Sequence, residues 1–178
     1  MKITVQYLHQ TNNLPLGKHC LDVGSHNFDA SKALLGLGYD VVAVDPSDKF
    51  APNMPREHNF EFKQTTIEEY LQESPTEKYD LILANNVLPF TTSQIHVFKS
   101  LANRLSENGV IGASLWLHRH AWAAKRSTNT PEELRRVIQE YSDAGFRVIY
   151  ESWNEGDAMT MMNQVVHWHS LELALCKS

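Results

Sequence analysis

Two short runs of sequence decide the fold: Leu21-Asp22-Val23-Gly24-Ser25 and Val41-Val42-Ala43-Val44-Asp45. Each is a short, largely apolar run, which is typical of a strand buried on both faces of a parallel sheet. The first run ends in a tight glycine turn, and residues 30–35 behind it have the composition of a helix. Together the two runs predict a strand–helix–strand unit, which is the building block of α/β sheets.

The same alternation of strand and helix signals continues through the chain. Further strands and helices are predicted at residues 60–63, 67–73, 79–84, 93–105, 110–117, 130–144 and 146–150. A long last strand at 165–175 follows its predecessor through a loop without a helix, so we expect it to be antiparallel. The pattern predicts an α/β protein with one mainly parallel sheet in a single domain, residues 18–178. Residues 1–17 are expected to form a short leader or cap.

Composition restricts the class of protein. The chain has 178 residues, of which 42% are hydrophobic and 21% charged, as expected for one globular domain. Its formal net charge of −5 argues against binding nucleic acid or an anionic membrane through bulk charge. Two cysteines, Cys20 and Cys176, are too few for a disulfide scaffold. With no long apolar run and no signal-peptide core, we expect a cytoplasmic protein without nucleic-acid or membrane partners.

Two acidic residues end the first two predicted strands. Asp45 follows the glycine turn by about twenty residues, where an acid grips the ribose in nucleoside-binding units. A carboxylate suits this role because it can accept hydrogen bonds from both ribose hydroxyls. The helix after Gly24 offers free N–H groups to an anionic part of a ligand. A plainer interpretation stays open, in which Asp22 caps that helix and Asp45 is a turn residue before Pro46.

With two later runs, these motifs resemble those of class I S-adenosylmethionine-dependent methyltransferases over roughly residues 18–178. The later runs are Tyr79 to Leu88 and Leu101 to Val110. Within that family the chain is most similar to small single-domain members of the tellurite-resistance type. The resemblance implies a Rossmann-like, doubly wound, seven-stranded sheet of order 3-2-1-4-5-7-6. It also implies S-adenosylmethionine as cofactor and a small-molecule substrate, and it leaves the oligomeric state open, with a homodimer as one option.

The resemblance further implies a set of cofactor contacts, all near the carboxyl ends of the first four strands. These contacts are Asp22, Gly24 and Ser25 for the amino-acid part, Asp45 for the ribose, Thr66 and Ile67 for the adenine edge, and Asn85 for the pocket floor.

The chain departs from the family pattern at three positions. His26 and Phe28 stand where the family has its second and third glycines, and Thr66 replaces the usual acid near the adenine. Glycine serves in such a loop because the backbone approaches the ligand or has positive φ, so we expect both side chains to add bulk. Two interpretations follow. One is a working methyltransferase with a shifted loop; the other is a non-catalytic binding or regulatory protein with weakened or lost cofactor binding.

Two histidine pairs add candidates for chemistry. His118 and His120 follow the fifth strand, and His167 and His169 open the last one. Residues two apart on a strand share a face, and the implied topology brings these strand ends together. His118, His120 and His167 are therefore candidate general bases. A histidine-rich metal site is a third interpretation of the chain, and exposed loop histidines are the plainer one.

Overall fold

The computed structural model describes residues 5–117, 129–159 and 165–178. Its elements, in chain order, are α1 (Val5–Gln10), β1 (His19–Val23), α2 (Asp29–Leu35), β2 (Asp40–Val44), β3 (Phe60–Lys63), α3 (Ile67–Glu73), β4 (Tyr79–Ala84), α4 (Gln94–Ala102), β5 (Leu105–Trp116), α5 (Pro131–Asp143), β6 (Phe146–Met159) and β7 (Val165–Lys177). Single turns of 3₁₀ helix follow β2 and β4, at Ala51–Asn53 and Leu88–Phe90.

The strands form one seven-stranded sheet of order β3-β2-β1-β4-β5-β7-β6, as the resemblance implied. Strands β1 to β5 run parallel, whereas β7 is antiparallel to both β5 and β6. The chain builds outward from β1 in one direction and from β4 in the other. Ligands of doubly wound sheets bind at such a switch point, beyond the carboxyl ends of the two strands.

Helices cover both faces of the sheet, so the protein has three layers. On one face an apolar cluster joins the strands to α3, α4 and α5, with Phe98 and Leu134 fully buried in it. On the other face a second cluster includes Leu8 of α1 and Leu34 of α2. The alternation of side chains along β1 sends Leu21 into the first cluster and Cys20 into the second.

Helix α1 lies in the segment that the sequence predicted to be a leader or cap. Val5 and Leu8, three residues apart, are buried, and the rest of the helix is more polar. This spacing is one face of a helix, although the segment is too short for a strong periodic signal. Helix α1 therefore packs on the same face of the sheet as α2.

Strands β5 and β6 extend well beyond their predicted bounds. β6 was predicted to end at Tyr150 but runs to Met159, paired with β7 along its whole length. Its second half is rich in polar residues and lies exposed or half-buried at the edge of the sheet, so its composition does not predict a strand. β5 begins at Leu105 and not at Val110, because Leu105 pairs with Tyr79 before a register shift.

The described helices include none that is long and apolar enough to cross a membrane.

Candidate functional site

A cavity of about 430 Å³ lies at the carboxyl ends of β1 and β4, at the switch point of the sheet. Its walls come from α1, the loop after β1, the first turns of α2 and the loop after β4. The lining residues are Val5, Gln6, Asp22, Val23, Gly24, Ser25, His26, Asn27, Asp29, Ala30, Ala33, Asn85 and Asn86. Of the seven cofactor contacts implied by resemblance, four are among them: Asp22, Gly24, Ser25 and Asn85.

Gly24 shapes the turn that opens this cavity. Its φ is +70°, and a Cβ at this position would lie 2.7 Å from Cβ of Val87 in the loop after β4. Its backbone N–H donates to the carbonyl of Val44, 2.7 Å away. Both the conformation and the close approach of the second loop require glycine here.

The two residues that stand at the expected glycine positions both have positive φ. His26 has φ of +46° and Phe28 has φ of +64°. This left-handed region costs an L-residue with a Cβ about 1–2 kcal/mol. Both residues therefore have a backbone conformation that favours glycine.

The Phe28 side chain turns away from the cavity. It is 1% exposed, and its ring packs edge-to-face against Phe60 and Phe62, with centroids 5.7 Å and 5.4 Å away. The expectation that Phe28 adds bulk to the ligand space is therefore wrong, because its ring fills apolar space next to β3.

His26, in contrast, does line the cavity. Its ring contacts that of Phe50 in the loop after β2, with centroids 3.8 Å apart and planes tilted by 44°. Of the two bulky replacements, only His26 can affect a ligand directly.

Asp45 joins the loops that follow β1 and β2. Its Oδ2 accepts from the backbone N–H of His26 at 3.0 Å, and its Oδ1 accepts from that of Ser47 at 2.9 Å. It is half-buried and is not among the cavity-lining residues. Each carboxylate oxygen has a second lone pair, so the group keeps acceptor capacity for a ligand.

Asp22 and Ser25 are buried polar residues in the cavity wall. Burial raises the pKa of Asp22 from its ordinary 3.8 to about 6, although hydrogen bonds from Ser31 favour the ionised form. The hydroxyl of Ser31 donates to Asp22 Oδ2 at 2.6 Å. The Ser25 hydroxyl is buried and has no hydrogen-bond partner among the described residues. A buried hydroxyl without a partner is costly, so a bound polar group would stabilise it.

Thr66 and Ile67 lie at the start of α3 and do not line the cavity. The Thr66 hydroxyl accepts from the backbone N–H of Glu69 at 3.2 Å, and the Glu69 carboxylate accepts from that of Thr66 at 3.1 Å. This capping box already uses the Thr66 hydroxyl. Ile67 is buried in the core.

The structure describes one of the three histidine candidates, His167. His118 and His120 lie outside the described residues. His167 lies on β7, with Nδ1 3.1 Å from Oδ1 of Asp157 and Nε2 3.5 Å from Oε1 of Glu155 on β6. The carbonyl of His169 accepts from Leu117 at 2.8 Å, so the start of β7 does meet the end of β5.

Neither His167 nor His169 lines the cavity. Within residues 5–117, 129–159 and 165–178, no three His, Cys, Asp or Glu side chains come together as a metal site would need.

Several lining residues were not anticipated from the sequence. Val5 and Gln6 come from α1, and their approach to the cavity is a tertiary contact that the sequence of this short helix does not show. Ala30 and Ala33 are three apart on α2, where small side chains leave space beside the loop. Asn86 has φ of +55°, which no local sequence pattern predicts.

Comparisons with known proteins agree with this architecture. A family model described as a methyltransferase domain matches residues 21–111, about half of the chain. The structure of TehB from Haemophilus influenzae covers 97% of this chain and 62% of its own, at 15% identity and a TM-score of 0.75. Magnesium protoporphyrin IX methyltransferase from Synechocystis PCC 6803, solved with bound SAM, covers 98% of this chain and 76% of its own, at 18% identity and a TM-score of 0.64.

A curated relative is the ubiquinone biosynthesis O-methyltransferase of Glaesserella parasuis. It is 28% identical over 118 residues, which are 61% of this chain and 50% of that protein. The chain spans about half the length of the curated relatives it matches.

Proposed function

We propose that this chain, which belongs to the class I S-adenosylmethionine-dependent methyltransferase family, transfers a methyl group to a small molecule. S-adenosylmethionine is the cofactor of that family, and its sulfonium supplies an activated methyl group. The protein then has to bind the cofactor and the substrate, orient them for the transfer, and exclude water from the site. The observation that carries the proposal is the cavity at the switch point, which is lined by Gly24 and by the buried polar residues Asp22 and Ser25.

The residues of the cavity fit the amino-acid part of the cofactor. The Asp22 carboxylate would pair with an ammonium group, and the Ser25 hydroxyl would gain the partner it lacks within the described residues. The volume of about 430 Å³ is within the usual range of ligand sites. Asn85, at the end of β4, would form the floor beside the reacting methyl group.

The ribose and adenine contacts are assigned by their place in the fold. Asp45 would accept from ribose hydroxyls with its remaining lone pairs. Thr66 and Ile67 stay our candidates for the adenine edge. Because the Thr66 hydroxyl is used in the capping box, their contribution would come from shape.

A general base is needed only where the acceptor carries a proton that must leave. His118, His120 and His167 stay our candidates for this role. His167 is held between Glu155 and Asp157 on the paired strand, away from the cavity lining. The small-molecule acceptor is supported by the curated relatives, which are named as O-methyltransferases of ubiquinone biosynthesis.

Calorimetric titration with S-adenosylmethionine and S-adenosylhomocysteine tests the proposal. We expect both to bind at one site, and Gly24→Ala to abolish binding because its Cβ would displace Val87. Gly38→Ala is the matched control: φ is also positive, +76°, but a Cβ there meets nothing within 4 Å. It should lose only the cost of the positive φ, about 1–2 kcal/mol, and keep the affinity.

A second candidate is a non-catalytic binding or regulatory member of the family. It is favoured by the two backbone hydrogen bonds that already occupy Asp45 and by the His26 side chain in the cavity wall. Absence of heat and of any thermal shift at millimolar cofactor would support this candidate over the enzyme.

A further inference from the structure

The cavity corresponds to only part of the proposed cofactor site. Its walls come from α1, the loop after β1, α2 and the loop after β4. None of residues 45–59, all of which the structure describes, is among the lining residues. These residues connect β2 to β3 and begin with Asp45, the proposed ribose contact. On this assignment the cavity holds the amino-acid half of the cofactor, and the place of the nucleoside lies behind the cavity wall.

His26 forms the wall on the β2 side of the cavity. It lines the cavity, and its ring contacts the ring of Phe50 in the loop after β2, with centroids 3.8 Å apart. Its backbone N–H donates to Asp45 Oδ2 at 3.0 Å, so the two rings lie beside the proposed ribose contact. Lys49 Nζ lies 5.5 Å from the centroid of the Phe50 ring, a cation–π contact that favours this position of the ring. The loops after β1 and β2 are therefore closed against each other at these two rings.

The backbone on each side of the ring pair is held in place, whereas the rings themselves lie near the surface. In the loop after β1, Phe28 is an anchor because its side chain is buried in the core. In the loop after β2, the backbone N–H of Asn53 donates to the carbonyl of Phe50 at 2.8 Å. His26 is exposed and Phe50 is half-buried, and side chains near the surface change rotamer within nanoseconds. The two rings can therefore part while both loops keep their backbone conformation.

The backbone conformation of His26 is a second observation at the same place. Its φ of +46° lies in the left-handed region, which favours glycine and is costly for a residue with a Cβ. Residues with such a conformation persist where the surrounding contacts hold them, and they are frequent at ligand clamps and switch regions. A glycine at this position would have no ring to contact Phe50. The strained backbone at the cavity wall therefore supports a role for the His26 side chain in controlling the site.

We propose that the rings of His26 and Phe50 form a gate that closes the nucleoside half of the site when no ligand is bound. This inference rests on the proposed function, because the ligand that opens the gate is the nucleoside part of the cofactor. The contact between the rings stabilises the closed state. Only the fraction of molecules with parted rings accepts the nucleoside, so the contact lowers the apparent affinity in proportion to that fraction. A ligand that consists of the amino-acid half alone binds without opening the gate.

The test uses two variants that each remove one ring, Phe50→Ala and His26→Ala. The second keeps a Cβ at position 26 and so leaves the cost of the positive φ unchanged. Calorimetry measures the affinity for S-adenosylhomocysteine, and we expect both variants to bind it about threefold to tenfold tighter than the wild type. Met54→Ala is the matched control, because Met54 is 41% exposed in the same loop, and it should bind like the wild type. L-methionine, followed by NMR chemical-shift changes, should bind to all four proteins with affinities that agree within about twofold.

A second readout follows the gate directly. The ring current of Phe50 shifts the NMR signals of the His26 ring protons, and S-adenosylhomocysteine should move these signals toward their positions in Phe50→Ala. Signals that stay in place in the bound protein overturn the inference. Equal or weaker binding by Phe50→Ala also overturns it, since the ring would then be idle or a ligand contact.

A gain in affinity for His26→Ala alone would indicate simple bulk in the cavity and would overturn the gate as well. In each of these cases the cofactor product still binds, so the proposed function stands. Absence of S-adenosylhomocysteine binding by all four proteins would instead reject the proposed function, and the gate with it.

Discussion

The backbone N–H of His26 donates to Oδ2 of Asp45 at 3.0 Å and so ties the loop after β1 to the end of β2. The acid that we propose as the ribose contact therefore also holds the loop that contains His26. The Oδ1 atom of the same carboxylate accepts from Ser47. One side chain thus connects the conformation of the loop with the proposed ligand contact.

Asp45→Asn is predicted to weaken both functions. An asparagine keeps one acceptor oxygen but presents an N–H₂ group to one of the two backbone donors. We expect a loss of about 1–3 kcal/mol in the free energy of unfolding and at least a tenfold loss of cofactor affinity. Urea denaturation and calorimetry measure the two effects. Asp48→Asn, exposed in the same loop, is the control, and equal effects of the two variants would contradict the assignment.

His26 and Phe28 are predicted to respond differently to substitution. Phe28→Ala should cost about 3–5 kcal/mol, because a buried ring packed against Phe60 and Phe62 is lost. His26→Gly should change stability by less than about 1 kcal/mol, because relief of the positive φ offsets the greater freedom of glycine in the unfolded chain. Thermal denaturation measures both. Similar costs would contradict the finding that Phe28 is packed in the core whereas His26 lines the cavity.

The pKa of Asp22 predicts a pH dependence of stability. The pKa is about 6 in the folded protein against 3.8 ordinarily, so the folded protein binds the proton more tightly than the unfolded chain. This contribution to stability is full below pH 3.8 and is lost as the pH rises through 6. Asp22→Asn removes the cost of the buried charge, so it should be more stable than the wild type by about 2–3 kcal/mol at pH 7. The difference should vanish at pH 4.

The same ionisation predicts how cofactor affinity changes with pH. If the Asp22 carboxylate pairs with an ammonium group, affinity should rise as the pH increases through 6, opposite to the trend in stability. Titrations with S-adenosylhomocysteine between pH 5 and 8 measure it, and Asp22→Asn should bind weakly at every pH. An affinity that does not depend on pH in the wild type would place the ammonium group elsewhere.

Gln94→Ala is predicted to be among the most costly single changes in a polar residue. It removes the acceptor of the buried Trp116 N–H and leaves the Trp116 carbonyl with the longer bond from the Asn129 side chain, at 3.4 Å. We expect a loss of about 2–4 kcal/mol in the free energy of unfolding. Gln94→Glu would bury a carboxylate beside the Trp116 carbonyl and should cost at least as much as Gln94→Ala at neutral pH. A cost below 1 kcal/mol for Gln94→Ala would mean that the Trp116 backbone finds other partners.

The fold was predictable because its signals are local. β1, β3, α3 and β4 have the bounds that apolar runs and capping residues indicate. The order of the sheet came from the resemblance and was confirmed. The second half of β6 was missed because strand pairing with β7, and not its own apolar pattern, makes it a strand.

The site was less predictable because it depends on the directions of side chains. The sequence shows a bulky residue at positions 26 and 28 but not that the Phe28 ring turns toward β3. Thr66 matches a family position and also begins a capping box, and only the coordinates show that its hydroxyl is used in the box. The cavity lining from α1 is a tertiary contact, which no local pattern contains.

A crystal structure of the protein with S-adenosylhomocysteine tests the central claim most directly. We predict density for the ligand in the cavity between the loops after β1 and β4. Its ammonium group should lie within hydrogen-bond distance of the Asp22 carboxylate and its ribose hydroxyls near Asp45. A structure at saturating ligand in which the His26 ring fills this space, or in which the ligand binds elsewhere, would contradict the account.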